Sequence, residues 1–124
     1  MGQIRQIRLK ATVPAGETGV TATSETIHGE ILKVAIDVTG DSMDVNLDST
    51  GEPKAQAILN YTGNTDTTFY PRVSAEDNAE TALLYLSTDT AEVGVPYVVF
   101  GKLILTLASA AAAETVTCTV TYRD

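Results

Sequence analysis

Cysteine occurs once in these 124 residues, at Cys118, and tryptophan not at all. A single cysteine excludes an internal disulfide. With one histidine, His28, and one cysteine, a structural zinc site would need carboxylates for its remaining ligands. Nucleophilic catalysis needs a nucleophile, a base and an orienting group. His28 stands between Ile27 and Gly29 in a strand-like run and reads as a structural or surface residue. Basic residues are also scarce: eight Lys and Arg oppose sixteen Asp and Glu, for a net charge of −8. Binding to phosphate-rich partners needs clustered cations, so neither nucleic acid nor an anionic membrane is an expected partner. No apolar run approaches the roughly 20 residues of a membrane span. No apolar segment of the secretory type follows Met1–Arg5, so assembly in a reducing cytoplasm is expected. A chain whose signal had been removed would look alike. A Gly-rich phosphate loop is missing too, and no cofactor is expected.

What is present is apolar alternation. Hydrophobic residues make up 44%, and a chain of this length fits one domain with a core of its own. Leu9, Ala11 and Val13 alternate with polar residues from Gln3 to Val13, with a bulge expected near Arg5-Gln6. Val20–Thr23 reads as a short strand. Thr26–Val38 reads as a longer one, with Gly29 at a bulge or a close backbone approach. Met43, Val45 and Leu47 alternate with Asp44, Asn46 and Asp48. Ala57-Ile58-Leu59 ends in a polar hinge, Asn60–Asp66, before Phe69 and Tyr70. Thr81–Leu86 reads as strand or irregular, between polar segments at Ser74–Glu80 and Ser87–Gly94. Val95–Ala108 is the most apolar segment, with a bend expected at Gly101. Ser109–Ala113 is too short to nucleate a helix. In Thr115–Tyr122, Val116, Cys118, Val120 and Tyr122 share a face against four threonines. The expectation is an all-β fold: a single antiparallel β-sandwich or jelly-roll-like domain, residues 1–124, of about seven to nine strands. Residues 1–13 are an N-terminal arm or edge strand.

Chemistry-bearing groupings are few. Asp37, Asp41, Asp44 and Asp48 bracket one turn and could gather calcium, but in so acidic a chain they read first as solvated turn and strand faces. Tyr61, Phe69, Tyr70, Tyr97 and Phe100 could form a sugar-binding platform or fill the core. Arg5, Arg8 and Lys10 fall in the first ten residues with no acid among them. They are candidates for contact with an acidic partner, a neighbouring copy included, or for charge protection of an edge strand. Tyr70, Pro71 and Arg72 are candidates for an exposed contact rim.

Three pieces in order carry a resemblance: Gly29–Val34 running into a Thr-Gly-Asp turn, Ala57-Ile58-Leu59 before a loop with Asn64-Thr65-Asp66, and Phe69–Val73. Together, over roughly residues 29 to 105, they resemble small virion proteins of tailed bacteriophages, similar to capsid decoration or cement proteins. The resemblance implies a non-enzymatic β-rich domain, usually a homotrimer, on the capsid surface with the major capsid protein as partner. The alternative is a carbohydrate-binding or tail/fibre β-sandwich module.

Overall fold

The computed structural model describes residues 2–50, 56–74, 94–111 and 113–124. The expected elements at Ser74–Glu80 and Thr81–Leu86, and most of the Ser49–Lys54 and Ser87–Gly94 loops, lie outside the described residues. The strands are β1 (Ile4–Thr12), β2 (Val20–Thr39), β3 (Met43–Ser49), β4 (Gln56–Gly63) and β5 (Thr67–Phe69), then β6 (Val73–Ser74), β7 (Gly94–Val95), β8 (Val98–Ala108) and β9 (Thr115–Arg123). No helix occurs among the described residues.

The fold is all-β. Its main sheet runs β1-β9-β2-β8-β3-β4, with β5 beside β2, and every pairing is antiparallel. The 20-residue β2 serves both halves. Val20–Glu30 pairs with β8, while Glu30–Thr39 pairs with β9 and Val34–Ile36 also with β5. Such a strand curls one sheet into a sandwich-like domain with the core between its halves.

Side-chain parity explains how β2 serves both. Ser24 is buried, then Ile27 and Ile31, then Val34, Ile36 and Val38. The buried set therefore changes parity twice. Each change coincides with a register shift, between Thr23 and Thr26 against β8 and between Ile31 and Lys33 against β9. A bulge adds one residue and turns the following side chains to the other face. Sequence alternation suggested two strands here; the structure joins them through the first shift. Gly29 lies between the shifts at φ +156°, where a Cβ would run into the Arg123 carbonyl. The close approach anticipated at Gly29 is thus real.

The core is aliphatic. Ile31, Leu47, Leu103, Leu105, Val116 and Val120 are fully buried, each contributing about 1.5–3 kcal/mol through removal from water. The alternations read in β1, β3 and most of β9 hold, with Leu9, Ala11, Val13, Met43, Val45, Leu47, Val116, Cys118 and Val120 all buried, but at the end of β9 Thr121 is buried and Tyr122 only half-buried. Three local expectations do not hold. Pairing of β1 with β9 is unbroken from Ile4 to Thr12, so there is no bulge at Arg5-Gln6. Ile4 simply faces outward, 63% exposed. Gly101 does not bend β8, which pairs through it with Ile27. The polar hinge is shorter than expected, because Asn60–Gly63 continue β4. Tyr61 closes the remaining turn: its hydroxyl donates to the Thr65 carbonyl at 3.0 Å and accepts the Thr65 N–H at 3.1 Å.

Candidate functional site

The basic residues of β1 do not form one surface. Successive strand residues point to opposite faces. Arg8 and Lys10 share the outer face, whereas Arg5 points the other way, at the end of the domain. There its Nε donates to Asp124 Oδ2 at 2.5 Å. The Gln3 N–H also donates to Asp124 Oδ1, at 2.8 Å. That backbone bond is the main reason the Asp124 carboxyl lies below its ordinary value; desolvation opposes it, and the hydrogen bond and charge of Arg5 add to the lowering. Arg5 is thus already committed within the chain.

Arg8 lines a concavity of about 490 Å³ on the outer face, with Asp37, Asp66, Thr68, Thr117 and Thr119. Register produces this lining: Arg8 opposes Thr119, Thr119 opposes Ala35, and Ala35 opposes Thr68. Asp66 is spent at its rim, accepting the Val38 N–H at 3.0 Å. The result is an open, hydroxyl-rich trough with mixed charge.

The second candidate group separates differently. Tyr70 is 63% exposed, and Arg72 is exposed, but Pro71 is buried, contrary to the expected exposed rim. Pro has no N–H to satisfy, so burying its ring costs no donor. Arg72 Nη1 donates to the carbonyls of Leu32, at 3.3 Å, and Pro71, at 2.7 Å, which ties it to the bulge in β2.

The five aromatic residues do not make one platform. Tyr61 and Phe69 pack edge to face at 5.4 Å, half-buried, and Tyr97 packs against the core. Phe100 is 57% exposed and meets His28 edge-on at 5.6 Å. Around that pair lies a smaller concavity of about 260 Å³, lined by His28, Glu30, Val98, Phe100 and Arg123 among others. Ile4, Arg123, Glu30 and Val98 form one register row across β1, β9, β2 and β8. Reading the sequence by residue type overlooked Ile4 and Val98. Their phase was the available signal, since Val98 and Phe100 alternate with the buried Val99 and Gly101.

Among the described residues, no three His, Cys, Asp or Glu side chains gather as a metal site requires. Asp44 instead accepts the Thr62 hydroxyl at 2.7 Å. Cys118 is fully buried, and burial pushes its thiol up to about 12, which keeps it protonated and poorly nucleophilic. His28 is exposed, on the outer face of β2. No family model, curated protein or solved structure matches this chain.

Proposed function

We propose that this chain is a non-enzymatic structural protein that works through its outer sheet faces, and that it decorates and stabilises the capsid of a tailed phage. The observation that carries the reading is the solvent-facing pair Val98 and Phe100, next to each other on the outer face of β8 and 45% and 57% exposed. Apolar side chains grouped on a polar surface mark contact sites with other macromolecules. Weak contacts of this kind gain strength when many copies meet a repeating shell. The sequence resemblance over residues 29 to 105 supplies the shell as the partner, the major capsid protein as its component and a trimer as the oligomer.

The test is the protein's place in particles. Gradient-purified particles should carry it in a fixed ratio to the major capsid protein, and purified expanded heads should bind added protein to saturation. Particles that lack it, together with heads that do not bind it, overturn the reading.

A further inference from the structure

The two outermost strands of the main sheet are β1 and β4. On β1, the Val13 N–H donates to the Glu114 carbonyl and the Asp124 N–H to the Gln3 carbonyl. Odd-numbered residues of β1 therefore turn their backbone groups to β9. Strand geometry leaves those of Ile4, Gln6, Arg8 and Lys10 on the far edge, where no described strand lies. An edge of this length is a template for adding another strand.

Charge selects what can be added. A second β1 would bring Arg8 and Lys10 against their own kind, and like charges on paired strands repel. The strand β4, QAILNYTG, carries no charge. Beside it on β3 stand Asp44 and Asp48, alternating with the buried Val45 and Leu47 and so on the outer face. Asp44 accepts the Thr62 hydroxyl of β4, so its carboxylate leans over that strand. A β1 strand laid along β4 would stand two strand spacings from β3, about 10 Å. Combined, an Arg or Lys and an Asp side chain span that distance.

We infer that the occupant of the β1 edge is the β4 edge of a second copy of this chain, joined head to tail, with Arg8 and Lys10 facing Asp44 and Asp48. Such a contact is heterologous: it uses two different surfaces and closes into a ring or continues as a filament. The ladder supplies most of the attraction. The charges set direction and partner choice, because exposed ion pairs are individually weak. The inference rests on the self-associating part of the proposed function and names its surfaces.

Sedimentation and light scattering on the full chain test it. The wild type should exceed monomer mass, and self-association should weaken at high salt. Arg8→Glu/Lys10→Glu and Asp44→Lys/Asp48→Lys should each weaken it by about tenfold or more. Mixed together, these two variants should recover assembly that neither shows alone, since the native β1 edge of one meets the native β4 edge of the other and the reversed charges on the remaining edges are complementary too. Should the lysine variant not fold, Asp44→Asn/Asp48→Asn takes its place. Gln6→Pro, which removes an edge N–H without changing charge, should also yield monomers. A monomeric wild type overturns the inference, as does a mixture that fails to pair. So does wild-type mass in Gln6→Pro or Arg8→Glu/Lys10→Glu. Shell binding separates the two readings: a pair that assembles but binds no heads sinks only the decoration role, and a shell-bound protein that is monomeric in solution sinks only this inference.

Discussion

Ser24 Oγ accepts the backbone N–H of Leu103 at 2.9 Å inside the sheet. The β2–β8 ladder slips at this point, between Thr23 and Thr26. A slip leaves a backbone donor without its ladder partner, and Leu103 is fully buried. The Ser24 hydroxyl fills the gap and itself donates a hydrogen bond to the Glu25 carbonyl at 2.7 Å. A serine in the core is here a substitute rung.

Ser24→Ala should therefore destabilise the domain by about 1–3 kcal/mol, the cost of an unpaired buried donor. Urea unfolding would show a lower midpoint with an unchanged slope. A midpoint equal to that of the wild type would mean that Leu103 finds another acceptor.

Glu114 performs a related task between turns. It is buried, and its carboxylate accepts the Asp41 N–H at 2.6 Å and the Ala111 N–H at 3.1 Å. Its own carbonyl accepts the Val13 N–H at 2.9 Å. One residue thus joins the end of β1, the β2–β3 turn and the β8–β9 connection. Glu114→Gln keeps the shape but turns an NH2 group toward a backbone donor. The expected loss is about 1–3 kcal/mol, with faster hydrogen exchange at the Asp41 and Ala111 amides as the local signature. Exchange unchanged at both amides would contradict this role.

Cys118 should react with a thiol reagent only after unfolding, because its sulfur is fully buried. Its titration carries a pH signature. The folded thiol is raised from an ordinary 9.0 to about 12. The neutral form is thus favoured in the fold, and its contribution is complete below the unfolded value. Between roughly pH 9 and 12 that contribution is lost as the unfolded thiol ionises first. The wild type should lose stability faster than Cys118→Val across that window, in chemical unfolding at stepped pH. Parallel curves would refute the assignment.

How much of this was legible beforehand differs by element. In β3, and in β9 as far as Val120, the inward residues recur at every second position, and side-chain alternation is a local property of extended backbone. Those faces could be read directly, as could the neutral, core role of Cys118. In β2 the same rule misleads, because two shifts invert the phase. Nothing in TIHGEILKV marks the second shift apart from Gly29 nearby. The stretch from Gln56 to Phe69 reads as strand, loop, strand, yet β4 and β5 do not pair with each other. They join β3 and β2 respectively, so the loop carries the chain between the two halves of the sheet.

The candidate contact residues show the same division. Their residue types and positions in the chain announced charge on β1 and an aromatic rim near Tyr70. The sequence by itself determined an all-β chain, the inward faces of its regular strands and a scarcity of catalytic side chains, because these follow from composition and a period of two. Only the tertiary structure decided that Arg5 turns to Asp124 while Arg8 and Lys10 share the outer face. It also decided that Pro71 is buried, and that Ile4 falls in one row with Val98. Those outcomes depend on which strands hydrogen-bond and in which register, and that choice is made between segments far apart in the chain, by the core they bury together.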